Sequence, residues 1–375
     1  MIKSIHIRNF RNIRSADIEL DRLTVFVGAN AVGKSSVLEA VQHCTCAAGE
    51  DPAKYFRFER HCDWLYTRGG SGDLTLECNT TAGKYGISAS IAEVPDYARV
   101  QPEDIGTWVW SFAATPSDDQ CRFAAIGAAA PVMFLKLNAA ELARESYSES
   151  VKPALEFNGS RLASVLAYLK LTDDDTFERI EETMREFVPQ FRRIRIQRRA
   201  IRKEETEFLR IEDQAVPRRS TRTCHGEALL FDFANAQNIP ARAVSEGTLL
   251  LLGLLTVLQG PERPNVLLMD DIDQGLHPLA QRTLLHVLEQ LMVKYPTLQV
   301  LATSHSPYLL DGLRPEQVRC MTADSAGYAV VNKLGDHPEF AKWQDEMSPG
   351  EMWSMFGEKW MPDVDPYATR MAGVS

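Results

Sequence analysis

The sequence predicts an α/β protein built around a largely parallel sheet, and three observations support this. Residues 1–27 alternate between apolar and polar side chains as strands do, and a glycine-containing loop then leads into a helix. Strand and helix patterns alternate again from Val244 onwards. Polar residues follow directly after the apolar strands of both parts, at the edge of the sheet where α/β proteins bind ligands.

The elements of this core follow from short-range patterns. The apolar run at 23–27 predicts a buried strand, and residues 34–47 predict a helix. The second part predicts, in chain order, a helix from Val244 to Leu258, a strand Val266–Met269, a helix Leu279–Lys294 and a strand Leu298–Ala302. The core is therefore expected to be split in sequence between residues 1–48 and 225–335.

Residues 49–224 are expected to form an inserted lobe, because the core pattern is interrupted there. The lobe mixes short strand candidates (Leu74–Cys78, Val132–Leu137, Arg193–Gln197) with stretches of helical periodicity (Ser160–Lys170, Asp174–Phe187).

Residues 336–375 form a tail rich in tryptophan and methionine. Ser348 and Glu351 flank a proline and a glycine as in a capping box, which predicts a short helix that Gly357 ends. This helix either packs on the core or presents Trp353 and Trp360 to a partner.

Composition narrows the class of protein. With 375 residues, of which 45% are hydrophobic and 25% charged, the chain has the balance of a globular protein, which excludes disordered and fibrous chains. No apolar run approaches the roughly 20 residues that cross a bilayer, and residues 1–7 alternate like a strand, so a cytoplasmic protein without a membrane partner is expected.

The seven scattered cysteines favour buried thiols in a reducing compartment. The alternative is a zinc site, whose candidate ligands are His43, Cys44, Cys46, His61 and Cys62.

Charge is distributed unevenly along the chain. The net charge is −10, yet residues Arg192–Arg222 contain eleven basic and five acidic residues, which makes this segment +6 and the remainder −16. Such a basic segment is typical of a nucleic-acid contact. The alternative is a solvated hairpin whose arginines pair with its own glutamates.

Residues 28–35 fit the pattern G-x4-G-K-[ST] between a predicted strand and a helix, which is the context that this phosphate-binding loop requires. Backbone N–H groups of such a loop hold phosphates, the lysine reaches the β and γ oxygens, and the hydroxyl of the last residue binds Mg²⁺. The sequence therefore predicts ATP and Mg²⁺ as ligands. The expected nucleotide-binding residues are Gly28, Asn30, Gly33, Lys34, Ser35 and Ser36.

Two further motifs follow predicted strands of the second part. Asp270 and Asp271 end an apolar strand, where the first acid is expected to hold Mg²⁺ and the second to polarise the attacking water. Asp271 alternatively only caps the following turn. His305 follows the next strand, 35 positions later, a separation that suits one strand–helix–strand return. It is expected to contact the γ-phosphate; a structural histidine is the alternative.

The fourth motif opens a predicted helix. Ser245, Glu246 and Gly247 lie 25 positions before Asp270; the serine suits an N-cap and the glycine allows close backbone approach. Alone, this motif predicts only the start of a helix.

In this order, the four motifs resemble those of ABC-class ATPases, specifically the heads of SMC, RecF and OLD-like proteins, often described as AAA-family ATPases. Residues 5–11 are similar to their N-terminal strand, residues 270–278 to their Walker B motif and D-loop, and residues 303–307 to their switch histidine. The resemblance covers residues 1–48 and 225–335 well. It implies a P-loop NTPase fold of the ABC-ATPase head type, with a mixed sheet and an inserted α+β lid or lobe.

The resemblance also implies how the site works. Arg11 would approach the nucleotide, and Ser245, Glu246 and Gly247 would act as the signature motif of one chain. This motif would contact the γ-phosphate bound to Lys34 of a second chain, so that a homodimer sandwiches two ATP molecules. Helix N-termini of both chains would then face the phosphates.

Two departures from related proteins affect the expected function. Ser-Glu-Gly-Thr at 245–248 replaces the Ser-Gly-Gly-Gln of transporter ATPases, which disfavours a transporter subunit. Asp271 stands where a glutamate is usual, and its carboxylate lies about 1.5 Å further back. Because a displacement of that size can lower a rate about a hundredfold, slow hydrolysis is expected.

The leading hypothesis is an ATP-binding, slowly ATP-hydrolysing dimeric switch in DNA-related processes such as phage defence or repair, with DNA bound by Arg192–Arg222. OLD proteins append a Toprim nuclease, whereas about 40 residues without an acidic cluster follow the last predicted strand here. A separate effector, such as a nuclease, would therefore act in trans. The alternative is a nucleotide-dependent assembly scaffold with little turnover, whose tail around Trp353 and Trp360 holds the effector.

Overall fold

A computed structural model describes residues 1–49, 65–91, 108–115, 126–127, 129–211, 214–358 and 360–361 of the chain. The strands are β1 (Ile2–Phe10), β2 (Ile13–Glu19), β3 (Leu23–Gly28), β4 (Leu74–Thr80), β5 (Gly83–Ile91), β6 (Trp108–Thr115), β7 (Val132–Leu135), β8 (Phe191–Ile211), β9 (Gln214–Phe233), β10 (Ala236–Pro240), β11 (Val266–Met269), β12 (Gln299–Ser304), β13 (Val318–Ala323) and β14 (Ala329–Lys333). The helices are α1 (Lys34–Gly49), α2 (Ala139–Leu142), α3 (Leu162–Thr172), α4 (Asp174–Phe187), α5 (Glu246–Gln259), α6 (Pro278–Lys294), α7 (Pro307–Leu310), α8 (Phe340–Trp343) and α9 (Pro349–Phe356).

The chain divides into two units, of which the first comprises Met1–Phe134 and Pro264–Ser375. Its main sheet has six strands in the order β14-β13-β3-β12-β11-β7. Strands β13, β3, β12 and β11 run parallel, whereas β14 is antiparallel to β13. The mixed sheet expected from the sequence is therefore confirmed, and the carboxyl ends of its parallel strands meet at one edge.

Helix α1 connects this sheet to a second one. It contacts β3, β11 and β12 of the main sheet and also strands of a five-stranded antiparallel sheet in the order β2-β1-β4-β5-β6. The hydroxyls of Thr45 on α1 and Tyr85 on β5 lie 2.7 Å apart within the buried core. Apolar side chains of α1, including Val37, Leu38 and Val41, are fully buried. The first turn of α1 is thereby fixed at the edge where the parallel strands end.

The second unit, Leu135–Arg263, combines helices α2–α5 with a three-stranded antiparallel sheet in the order β10-β9-β8. Strands β8 and β9 form a two-stranded ribbon whose register runs from Phe191 opposite Phe233 to Ile211 opposite Gln214. At its root, the buried rings of Phe191 and Phe231 pack edge to face, 6.4 Å apart. The root therefore contains a buried aromatic cluster, and Arg198, Arg199 and Arg202 further along the ribbon are exposed.

The division into units differs from the predicted one in two places. Residues 74–91 were expected in the inserted lobe, but they form β4 and β5, and β4 hydrogen-bonds to β1 in a sheet of the first unit. Residues 225–263 were expected in the core, but β9 pairs with β8 on both sides of residue 225, which keeps this segment in the second unit.

Individual elements agree more closely with the sequence. Helix α4 and strand β11 have the predicted bounds, and the capping box of Ser348 and Glu351 is present at α9, which ends at Gly357. The short strand predicted at Arg193–Gln197 is wrong in length, since it is one end of a 21-residue strand. None of the helices within the described ranges combines the length and apolarity needed to span a bilayer.

Candidate nucleotide-binding site

Two glycines shape the loop between β3 and α1. Gly28 has a φ of +151°, and a Cβ atom there would lie 2.1 Å from the carbonyl oxygen of Met321 on β13. Gly33 has a φ of +102°, and a Cβ atom there would lie 2.7 Å from Oδ1 of Asn12. Because both positions combine positive φ with close neighbours, the loop geometry requires glycine at each.

Lys34, the first residue of α1, is almost fully buried within this loop. Its Nζ donates to the carbonyl oxygens of Gly28 at 2.9 Å and Ala29 at 2.7 Å. Burial lowers the pKa of Lys34, while the carboxylates of Asp271, Asp270, Glu358 and Asp273 act in the opposite direction. The ammonium is therefore held at the loop by backbone carbonyls, where incoming phosphate oxygens can replace them.

Ser35 and Asp270 come together although they are 235 positions apart. The Ser35 Oγ donates to Oδ1 of Asp270 at 2.7 Å, and Asp270 is buried. One hydroxyl and one carboxylate at this distance can face the same small cation, and both are oxygen ligands of the kind Mg²⁺ prefers. The pair fits the Mg²⁺ site expected from the sequence.

Thr303 on β12 joins the two acids to the neighbouring strand. Its Oγ1 donates to Oδ1 of Asp270 at 2.8 Å and accepts the backbone N–H of Asp271 at 2.8 Å. The carbonyl oxygen of Thr303 also accepts the N–H of Ile272 at 3.0 Å. A single fully buried threonine therefore holds the carboxylate of Asp270 and the backbone of Asp271.

Asp271 and His305 lie close together beside the hydrogen bonds of Thr303. Nε2 of His305 lies 3.8 Å from Oδ1 of Asp271, and about a third of each side chain is exposed. The backbone N–H of His305 donates to Oδ1 of Asp273 at 3.2 Å, which ties the histidine loop to the loop after β11. Asp271 has a φ of +51°, in the left-handed region that aspartate tolerates better than most residues.

The other residues expected near the nucleotide occupy different environments. Asn30 is exposed in the loop and Ser36 is buried in the first turn of α1. Arg11 has a φ of +53°, and its Nη1 lies 2.5 Å from Oε2 of Glu39 on α1. The guanidinium is thus placed beside the second turn of the phosphate-loop helix by an ion pair.

The signature residues lie in the second unit. Ser245 is the N-cap of α5, and its Oγ accepts the N–H of Thr248 at 3.4 Å. Ser245 and Glu246 are exposed, and Gly247 is half-buried. The start of this helix therefore presents polar groups to the solvent, where a second molecule can reach them.

Sequence reasoning assigned no role to Thr303, Asn12 or Asp273. Asn12 closes over the phosphate loop, where its Nδ2 donates to the carbonyl oxygen of Ala31 at 3.4 Å. Asp273 lies within the motif at 270–278 and Thr303 within the motif at 303–307. Their position in these motifs is the only feature of the sequence that indicates a role in the site.

The proposed alternative zinc cluster is only partly described. Cys44 is fully buried, and its Sγ lies 3.4 Å from the carbonyl oxygen of Leu76. Burial raises the pKa of the Cys44 thiol, which disfavours the thiolate that binds metals. His61 and Cys62 lie outside the described residues.

Comparisons with known proteins agree with this architecture. Residues 141–311 match the profile of a family described as "AAA domain, putative AbiEii toxin, Type IV TA system", and residues 1–56 match an "AAA ATPase domain". A segment of 54 residues is 39% identical to the DNA replication and repair protein RecF of Clostridium beijerinckii. This match covers 14% of the chain and only 15% of that protein's length.

Solved structures of SMC heads share the fold. One, an SMC head bound to the C-winged helix domain of ScpA, has a TM-score of 0.53 at 13% identity and covers 89% of this chain and 98% of its own. Another, an SMC head with an extended coiled coil bound to the C-terminal domain of ScpA from Pyrococcus furiosus, has a TM-score of 0.50 at 12% identity, covering 92% and 99%. The chain therefore has the fold of an SMC head, and parts of its sequence are similar to AAA ATPase domains and to RecF.

Proposed function

We propose that the protein is a slow, Mg²⁺-dependent ATPase that works as a dimeric switch in a DNA-related process. The observation that carries this proposal is the convergence of Lys34, Ser35, Asp270, Asp271 and His305 at the edge where the parallel strands end. This set provides a cation for phosphate, a hydroxyl–carboxylate pair for Mg²⁺, and a carboxylate beside a histidine.

Each group has a separate role in hydrolysis. Lys34 exchanges its two backbone carbonyl partners for phosphate oxygens when ATP binds. Ser35 and Asp270 hold Mg²⁺, which when bound neutralises charge on the phosphates. Asp271 orients the attacking water, and His305 donates a hydrogen bond to the γ-phosphate. Turnover is slow because the Asp271 carboxylate reaches about 1.5 Å less far than a glutamate would.

The dimer follows from the exposed signature. Helix α5 begins with the exposed Ser245 and Glu246 and the half-buried Gly247, and an exposed helix N-terminus favours a negatively charged group. In the proposed head-to-head dimer, this end of one chain completes the site around Lys34 of the other. Closure then depends on the γ-phosphate, so hydrolysis reopens the dimer.

DNA is the proposed trigger, and the basic ribbon supports it. Arg198, Arg199 and Arg202 are exposed along β8, where they can contact phosphates. RecF, with which a short segment shares 39% identity, is named as a DNA replication and repair protein. We further propose that a separate effector, such as a nuclease in phage defence or repair, acts on the signal from this switch.

A nucleotide-dependent scaffold is the second candidate, and one observation favours it. Met355 on α9 is 62% exposed, so the tail helix offers an apolar side chain to a partner. In this case ATP binding would lock the dimer, and the effector would be held by the tail.

Steady-state hydrolysis of Mg-ATP distinguishes the two candidates. Purified protein is assayed over a concentration series with and without duplex DNA, and Lys34→Ala is the blank. The switch predicts turnover per molecule that rises with protein concentration and with DNA. Binding of ATP without turnover above the blank under any condition contradicts the switch and supports the scaffold.

A further inference from the structure

Helix α9 is docked on the short helix α7, which begins two positions after the candidate catalytic histidine. Oδ1 of Asp311, which directly follows α7, accepts the Ser348 hydroxyl at 2.6 Å and the backbone N–H of Gly350 at 3.1 Å. These two donors are the N-cap and a first-turn residue of α9. One carboxylate oxygen therefore satisfies two groups at the start of the tail helix.

Steric fit restricts this contact further. A Cβ atom at Gly350 would lie 2.1 Å from the carbonyl oxygen of Pro307 and 2.4 Å from Oδ1 of Asp311. Pro307 is the first residue of α7 and lies two positions after His305. The tail backbone thus approaches the histidine loop as closely as only glycine permits.

The rest of the described tail strengthens this docking. Met352 is 1% exposed and Met361 7% exposed, so the tail buries apolar side chains on both sides of Gly357. The ring of His337 lies 4.4 Å from that of Phe356 and 5.0 Å from that of Trp360. One face of the described tail is therefore packed, while Met355 remains exposed.

The opposite side of the histidine loop is fixed by the Walker B region. The N–H of His305 donates to Asp273, and Thr303 links both acids. His305 lies between this attachment and the attachment of α7 to α9. Because only Ser306 separates His305 from α7, a shift of α7 would pull on the histidine and change its position relative to Asp271.

We propose that Asp311 is a positioning residue for ATP hydrolysis, because it anchors the tail helix to α7 and so holds His305 at the γ-phosphate. This inference rests on the proposed role of His305 and assigns to the tail a part in turnover. An effector that displaces α9 would lower hydrolysis without occupying the nucleotide site.

The first test compares variants on the two sides of the contact. Asp311→Ala removes the acceptor, and Gly350→Ala pushes the tail from Pro307. Each should lower kcat about tenfold, with little change in KM or in ATP affinity, because a displaced catalytic group affects the transition state more than binding. Asp311→Asn should retain most activity, since its Oδ1 can still accept both hydrogen bonds.

The matched control is Asp173→Ala, at the start of α4 in the second unit. The carboxylate of Asp173 also accepts one backbone N–H and one hydroxyl, both from Thr176. Equal losses of kcat in Asp173→Ala and Asp311→Ala, at matched melting temperatures, overturn the proposal.

A double-mutant cycle with His305→Ala then tests whether Asp311 acts through the histidine. Single-turnover rates should fall little further when Asp311→Ala is added to His305→Ala. The same fold loss in both backgrounds contradicts the proposal. Wild-type turnover no higher than that of Lys34→Ala would instead refute the proposed ATPase function, and this inference with it.

Discussion

At the scale of single residues, the backbone of Asp271 explains the short acid at a position where related proteins have glutamate. Its φ of +51° lies in the left-handed region, which aspartate populates more readily than glutamate because its short side chain can hydrogen-bond locally. Aspartate, which suits the backbone at position 271, therefore has a side chain that reaches less far towards the attacking water than glutamate would. This conflict would be the physical basis of the slow hydrolysis that we propose.

Asp271→Glu should raise kcat, by up to about a hundredfold, because the longer side chain restores the reach towards water. The same change should cost about 1 kcal/mol of folding stability through the left-handed backbone. Steady-state hydrolysis and urea unfolding measure the two effects. Asp271→Asn is the control, which keeps the size and should bind ATP without turnover; a wild type as fast as Asp271→Glu would contradict the explanation.

Thr303 should be needed for hydrolysis through its hydroxyl alone. Thr303→Val matches the volume but leaves the Asp271 N–H and the Asp270 carboxylate without this link. We expect it to lower kcat at least about tenfold and to destabilise the fold by about 1–3 kcal/mol, because buried polar groups lose a partner. Thr303→Ser keeps the hydroxyl and should restore most of the rate. Equal rates in the valine and serine variants would exclude this role.

The polar residues that follow the strands were expected to lie together for a physical reason. Lys34, Asp270 and His305 each follow the carboxyl end of a strand, and parallel strands bring those ends together. Thr303 was not assigned a role, since a threonine in a buried strand is an ordinary strand former. Its two hydrogen bonds depend on the alignment of β11 with β12, which no local pattern reveals.

At the scale of elements, the ribbon β8–β9 was the least predictable part. Its 21-residue strand extends about 65 Å. Its length was missed because charged residues on both faces remove the alternation that marks a half-buried strand. Helix α4, by contrast, has a buried face and a charged face, and its predicted bounds were correct.

Replacing Arg198, Arg199 and Arg202 by alanine should weaken DNA binding and reduce its dependence on salt. Each lost phosphate contact lowers the slope of log K against log salt by about 0.9, so the slope should fall by about 2 to 3. Fluorescence anisotropy with duplex DNA over a salt series measures this. The triple variant Lys84→Ala, Arg144→Ala and Arg282→Ala removes the same charge outside the ribbon, and an equal effect there would contradict a ribbon contact.

The contribution of Asp232, at the root of the ribbon, to folding stability should be lost in acid. Hydrogen bonds from Arg193 and from the N–H of Asn238, with a further one from Arg195, lower the pKa of Asp232 from 3.8 to about 2. A lowered pKa means that the stabilisation is complete above about pH 4 and is lost as the pH falls towards 2.

Asp232→Asn should therefore be less stable than the wild type at pH 7, and the difference should shrink between about pH 4 and pH 2. Urea unfolding across this range provides the measurement. Asp175→Asn, at an exposed position on α4, should show no such change. A stability difference that stays constant with pH would show that ionisation of Asp232 is not its source.

At the scale of the whole molecule, the two units divide the chemistry between them. The first contains Lys34, Asp270, Asp271 and His305, and the second contains the signature at the start of α5. The sequence placed these motifs in one core, since both parts follow α/β patterns. It could not reveal that β9 draws residues 225–263 into the other unit, because strand pairing over that distance leaves no local pattern.

The central claim is that one ATP site is built from two chains, and mixing two inactive variants tests it most directly. Lys34→Ala disables the phosphate loop, and Gly247→Asp disables the signature with a charge that repels phosphate. A mixed dimer contains one site with both defects and one site with none. We predict that each variant alone is inactive and that an equimolar mixture recovers up to about a quarter of wild-type turnover, as random pairing gives half mixed dimers with one intact site each. A mixture as inactive as its components, although mixed dimers form, would contradict the shared site.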